Sequence, residues 1–259
     1  MNIQKVVGDL EVVRNIRLNS RHFILELQAP DPLPLMLPGQ FVQVLVADSP
    51  ATFLRRPFSI HSIDLQGNSF RLLIQIKGEG TRHLSHLQER EKVNVLYPLG
   101  KSFSLPSTNQ VLLVGGGCGA APLLFLAQFL HQNKIHPAIL LGFRTKEDIA
   151  ELDEYSRFGQ VMLITDDGSE GEKGLIPEHS VFRQGLRGFK KVYCCGPEAM
   201  MRSVAKIAAS HQVDCEVSLE NTMACGFGVC LCCVTPTDLG NERVCVEGPV
   251  FNTRRLKWT

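Results

Sequence analysis

Val111-Leu112-Leu113-Val114-Gly115-Gly116-Gly117-Cys118-Gly119-Ala120-Ala121-Pro122 is the stretch on which the reading of this chain turns. An apolar run of strand length ends in glycines, and Pro122 opens a second apolar run. Through Leu130 almost no polar side chain occurs, so the stretch imitates a membrane span. Its glycines and Pro122 would interrupt a spanning helix near its middle. A buried strand, a glycine loop and a buried helix explain it better. The loop matches G-x-G-x-x-A loosely, in the strand-to-helix setting that the motif needs. Glycines there let backbone N–H groups approach a pyrophosphate, and the helix N-terminus favours its charge. Pro122 suits a first helical turn, where its missing N–H is no loss. Taken alone, a glycine loop in an apolar stretch reads equally well as a packing turn.

Downstream the pattern alternates. Strands over residues 138–141, 161–164 and 191–194, with a polar helix near 146–157 and a helix over about 197–210, predict a parallel, doubly wound sheet. No acidic residue closes the strand at 138–141, where an ordinary dehydrogenase holds a ribose. Arg144 stands there instead, and Asp166 and Asp167 follow the next strand. Cys195-Gly196-Pro197 falls at a strand's carboxyl end, where ligands of open α/β sheets bind. Upstream, short runs at 23–27, 41–46 and 70–76 are separated by turn clusters such as Gln66-Gly67-Asn68, which suggests a small β-barrel. Three segments result: a barrel over 1–105, an α/β unit over 106–213 and a cysteine module over 214–259.

The bulk properties fit this. A chain of 259 residues is long enough for two domains, and its apolar fraction of 44% excludes wholesale disorder. Lys+Arg 27 against Asp+Glu 26 leaves +1, which gives no pull toward nucleic acid or anionic membrane. Residues 1–10 hold no apolar core with a small-residue cleavage site, so no signal peptide is expected. The expectation is a cytoplasmic protein with reduced thiols.

Nine cysteines is an odd count, and Cys225, Cys230, Cys232 and Cys233 lie within nine residues. Cys225, Cys230 and Cys233, then Cys245 after eleven residues, read as C-x4-C-x2-C…C, the plant-type spacing for a [2Fe–2S] cluster. Gly226 and Gly228 fit, because N–H groups must turn inward without a Cβ clash. Structural zinc is the rival, but it favours paired C-x2-C knuckles. Cys232 is the spare thiol in this register, and Cys215 reads as a small buried hydrophobe.

Pro38-Gly39-Gln40-Phe41, Arg56-Pro57-Phe58-Ser59, Gly78-Glu79-Gly80-Thr81, the glycine loop and Cys195-Gly196-Pro197-Glu198-Ala199-Met200 follow the order of the ferredoxin–NADP reductase superfamily. With the cysteine spacing and Glu247-Gly248-Pro249-Val250-Phe251, the whole chain resembles the electron-transfer subunits of dihydroorotate dehydrogenase B. That resemblance implies a FAD-binding β-barrel, a doubly wound NAD-binding domain and a C-terminal [2Fe–2S] module. It implies that Arg56, Pro57, Phe58, Ser59, Leu73, Ile74, Gln75, Gly80 and Thr81 hold FAD. Gly115, Gly116, Gly117, Gly119, Pro122, Gly196 and Pro197 would bracket NAD, with Cys195 near the hydride-transfer position. Electrons would come from the FMN of a dihydroorotate dehydrogenase catalytic partner, through the cluster and FAD, to NAD+, in pyrimidine biosynthesis. The implied assembly has two of each subunit, with Met223, Ala224, Phe227 and Val229 facing the partner. Reductase subunits of a sulfhydrogenase, a sulfite reductase or a transhydrogenase share the architecture. A zinc-stapled NAD-sensing regulator is the non-enzymatic alternative.

Overall fold

The computed structural model describes residues 4–47, 49 and 51–258; the first residues of the stretch read for a signal peptide lie outside them. The amino-terminal half is an antiparallel sheet of β1 (Val6–Arg17), β2 (His22–Gln28), β3 (Phe41–Val44), β4 (Arg56–Ser59), β5 (Ser62–Asp64), β6 (Ser69–Gln75) and β7 (Lys92–Leu99). Its strand order is β4-β3-β7-β1-β2-β6-β5. The sheet curls around Leu10, Leu25, Val42, Phe70, Leu72 and Val95, each fully buried. A short helix, α1 (Glu79–Leu84), bridges β6 and β7.

The second sheet contains β8 (Val111–Gly116), β9 (Ala138–Phe143), β10 (Gln160–Thr165), β11 (Glu172–Lys173), β12 (Lys191–Cys195) and β13 (Asp214–Ser218), all parallel. Helices α2 (Ala121–Gln132), α3 (Leu152–Ser156), α4 (Ser180–Arg183) and α5 (Glu198–Ser210) intervene. The strand order is β11-β10-β9-β8-β12-β13 followed by an antiparallel edge strand from the C-terminal segment. From β8 the chain therefore winds outward through β9 and later returns to β8's other side as β12. That reversal opens a crevice above the strands' carboxyl ends. Among the described residues no helix is long and apolar enough to cross a membrane.

The polar helix expected near 146–157 is broken. A 3-10 turn spans Lys146–Asp148, and Glu151 takes a left-handed φ of +53° before the five-residue α3 begins. Glu151 leaves the helical path because its carboxylate is drawn to barrel residues His61 and Arg71. The C-terminal segment holds the hairpin β14 (Val234–Thr237) and β15 (Gly240–Arg243), then β16 (Val250–Asn252). Strand β16 pairs antiparallel with β13 and is the edge strand of the α/β sheet, so the chain's last part is built into that sheet.

One apolar cluster joins the segments. Phe41 and Leu99 of the barrel, Leu112 and Val192 of the parallel sheet, and Met223, Cys233 and Cys245 of the cysteine module share it.

Candidate functional site

A cavity of about 920 Å³ lies where the barrel meets the carboxyl ends of the parallel strands. Gly116, Gly117 and Gly119 after β8 and Gly196 and Pro197 after β12 line it on the sheet side. Gln75 and Lys77 line it from the barrel, while Arg144 and Asp166 stand at the ends of β9 and β10. This volume is at the upper end of the range typical of small-molecule sites.

The two glycine motifs pack backbone against backbone. A Cβ at Gly119 would lie 2.4 Å from Gly196 Cα and 2.5 Å from the Cys195 carbonyl oxygen. Neither atom can swing away, so glycine here serves close approach of two loops as well as access for a ligand. Gly115 and Pro122 are buried beneath the loop and do not line the cavity. Cys195 is also buried, and burial holds its thiol well above its ordinary pKa. The thiol that lines the cavity is Cys118, which points toward the Leu73 carbonyl 4.0 Å away. Burial, reinforced by Glu220, pushes that thiol up to about 12. Both cysteines are therefore neutral thiols at physiological pH, and of the two only Cys118 is placed to meet a ligand in the cavity.

Of the residues assigned to FAD, Arg56–Ser59 form β4, half-buried at the edge of the barrel sheet. Neighbouring Arg55 is tied to the Asn94 carbonyl at 3.1 Å and to the Gln43 carbonyl at 3.3 Å, which anchors the strand that presents Arg56. Gly80 and Thr81 lie in α1, where a Cβ on Gly80 would come 2.7 Å from Thr52 Cγ2. The Thr81 hydroxyl accepts from the N–H groups of Lys77 at 2.9 Å and Gly78 at 3.1 Å. It shapes the turn, leaving backbone N–H groups of the first helical turn as the donors a phosphate would meet. Leu73 packs with Ile24 and Ala121, and Ile74 is turned into the barrel core. Of the three β6 residues, Gln75 alone opens on the cavity.

The cysteines form two pairs. The Cys230 N–H donates to Cys225 Sγ at 3.5 Å, and the Cys245 N–H donates to Cys233 Sγ at 3.4 Å. Cys232 points elsewhere, donating to the Thr222 carbonyl at 3.5 Å. Burial works against ionisation of Cys225, yet N–H groups of Cys230, Phe227 and Val229 bring it down to about 6. Burial and the neighbouring Cys233 push Cys245 up to about 12. Gly226 and Gly228, at φ +76° and +92°, turn the loop between the first pair. Among the described residues no three His, Cys, Asp or Glu side chains gather as a single-ion site needs. A [2Fe–2S] cluster takes two thiolates on each iron, which is one such pair for each.

The sequence also left unread a buried junction. His61 Nδ1 donates to the Ala121 carbonyl at 2.7 Å, and its Nε2 lies 2.5 Å from Glu151 Oε2. Glu151 is also paired with Arg71, and the Tyr155 hydroxyl donates to the Ala120 carbonyl at 2.8 Å. Barrel and glycine-loop helix are thereby locked together. Only a lone histidine after a strand signalled this, which is too little to locate its partners.

Family models match three consecutive stretches of the chain. They are the oxidoreductase FAD-binding domain over residues 8–103, the oxidoreductase NAD-binding domain over 113–206 and the iron–sulfur cluster binding domain of dihydroorotate dehydrogenase B over 220–257. The chain is 37% identical over 258 residues to the dihydroorotate dehydrogenase B (NAD(+)) electron transfer subunit of Desulforamulus reducens, covering 97% of this chain and 98% of that protein. Identity to the subunit of the same name from Streptococcus pneumoniae R6 is 40% over 260 residues, covering 98% and 97%. The chain belongs to the family of dihydroorotate dehydrogenase B electron-transfer subunits. A solved structure described as the NADH-dependent reduced ferredoxin-NADP oxidoreductase matches this family member with a TM-score of 0.87 at 27% identity, over 100% of this chain and 92% of that one. The ferredoxin reductase of carbazole 1,9a-dioxygenase shares the fold at a TM-score of 0.71 and 20% identity, over 82% and 68%.

Proposed function

We propose that this chain passes electrons from a dihydroorotate-oxidising catalytic partner to NAD+, holding FAD and a [2Fe–2S] cluster for the purpose. The observation that carries the reading is the pairing of Cys225 with Cys230 and of Cys233 with Cys245, on a chain whose barrel and parallel sheet share one cavity. When bound, nicotinamide exchanges two electrons as hydride, the cluster passes one at a time, and flavin does both.

This chain's own residues bind and orient. Arg56, Pro57, Phe58, Ser59 and Gln75, with the first turn at Gly80 and Thr81, would hold FAD. Gly116, Gly117, Gly119, Gly196 and Pro197 would hold NAD in the crevice, with Cys118 as a neutral thiol on its wall and Cys195 buried behind Gly196. Asp166 and Arg144, at the ends of β10 and β9, line the same crevice and would offer the nucleotide polar contacts. Zinc-stapled regulation is disfavoured by the match of residues 220–257 to an iron–sulfur cluster binding domain.

The partner would carry FMN and the substrate chemistry, in an assembly of two of each subunit in the cytoplasm. Around the cysteine loop Phe227, Val229 and Leu231 are 49%, 73% and 60% exposed and form an apolar rim fit for such a partner. Met223, expected in that rim, is instead buried in the shared core.

The purified chain, with FAD and iron, should reduce an artificial dye with NADH and form no orotate from dihydroorotate. Adding the FMN-bearing partner should restore NAD+-dependent orotate formation. Dihydroorotate oxidation by the chain alone, free of a second polypeptide, would overturn the assignment.

A further inference from the structure

Strand alternation gives β3 two faces. Val42 and Val44 are fully buried in the barrel core, so Phe41 and Gln43 point the other way. On that side Phe41 joins the cluster holding Met223, Cys233 and Cys245. Gln43 is 0% exposed, and among the described residues neither its Nε2 nor its Oε1 has a hydrogen-bond partner. A glutamine amide offers two donors and an acceptor, and burying it unpaired forfeits its hydration without return. Such a group points to an acceptor supplied by something other than the protein.

The neighbour in question is the cysteine loop. A Cβ at Gly226 would come within 2.6 Å of both the amide carbon and the amide nitrogen of Gln43. Gly226 directly follows Cys225 and begins the turn to Cys230. Thiolate and sulfide sulfurs accept hydrogen bonds and donate none, so the half of the amide that suits them is the NH2. We propose that Gln43 donates a hydrogen bond from Nε2 to a sulfur of the [2Fe–2S] group held by Cys225, Cys230, Cys233 and Cys245, and so raises its reduction potential. A donor aimed at a cluster sulfur favours the reduced, more negative state. The backbone of Gln43 is in register with Pro57 of β4, so the residue that touches the cluster also belongs to the strand pair that carries the FAD motif.

The proposal rests on reading the four cysteines as a two-iron site, and the test separates the two. The full chain is purified with its flavin and iron as wild type, Gln43→Leu and Gln43→Met. Each is titrated potentiometrically, with the paramagnetic signal of the reduced cluster and the flavin absorbance followed separately. Both variants should keep the wild-type iron content and show a cluster potential shifted to more negative values, with the flavin potential unmoved. Equal cluster potentials in all three proteins overturn the proposal, as does a shift confined to the flavin. If Gln43→Leu loses its cluster, Gln43→Met decides; loss from both makes the amide a folding requirement and overturns the tuning role. A wild-type chain that binds no iron would overturn the two-iron reading itself.

Discussion

Cys232 and Cys233 are adjacent and chemically identical, yet their surroundings assign them different work. Cys233 is 2% exposed and receives the Cys245 N–H, whereas Cys232 is exposed and donates to a carbonyl of its own loop. Cys232→Ser should therefore leave iron content and the reduced-state paramagnetic signal at wild-type levels. Serine at Cys225, Cys230, Cys233 or Cys245 should abolish or strongly perturb both. Iron lost from Cys232→Ser and kept in Cys233→Ser would refute this register. The spacing itself was legible because Cys225, Cys230 and Cys233 lie within nine residues, at the intervals a [2Fe–2S] cluster uses. The role of Gln43 was not. A glutamine in an apolar run carries no local mark, and its isolation emerges only once the loop from Gly226 closes over it.

Among elements, the loops after β8 and β12 behave as one device because their backbones touch. In Gly119→Ala the new methyl would meet Gly196 Cα and the Cys195 carbonyl, both main-chain atoms. Overpacking of this kind costs about 1–3 kcal/mol. Thermal melts should show that loss. Displacing a positioning loop by ~1 Å can cost up to ~10²-fold in rate, so a tenfold or greater rise in KM for NADH is expected with FAD content unchanged. An unaltered KM would show that the loops do not act together on the nucleotide. The strand–glycine–helix reading at 111–122 was accurate because each signal is local: β8 ends at Gly116 and α2 begins at Ala121. Two elements escaped such reasoning. Glu151 breaks a polar helix in answer to residues some 80 to 90 positions away. Strand β16 finds its partner in β13, across the cysteine loop and the β14–β15 hairpin, and three residues offer no periodicity.

At the scale of the molecule, the barrel and the parallel sheet must keep a fixed relation if one cavity is to hold two cofactors in contact. The shared core around Phe41, Leu99 and Leu112 supplies cohesion, but apolar packing alone tolerates sliding. Direction comes from His61 and Arg71 of the barrel converging on Glu151, with His61 and Tyr155 gripping carbonyls where the glycine loop becomes α2. Removing one member of a buried ion network strands the others, at a cost of roughly 3–5 kcal/mol. Glu151→Gln should fall near the lower figure, because the Arg71 side chain is 24% exposed and regains some hydration. The pH dependence has a definite sign. Burial disfavours the Glu151 charge, but His61 and Arg71 outweigh it and hold the carboxyl below its ordinary value of 4.5. A carboxyl depressed in the folded state stabilises fully above its unfolded value and loses that contribution as pH falls through the folded one. The stability gap between wild type and Glu151→Gln should therefore be widest near neutrality and narrow below about pH 4.5, as read by denaturant unfolding across the acid range. A gap that widens or stays constant in acid would mean that the charge on Glu151 is not what locks the barrel to the nucleotide-binding sheet.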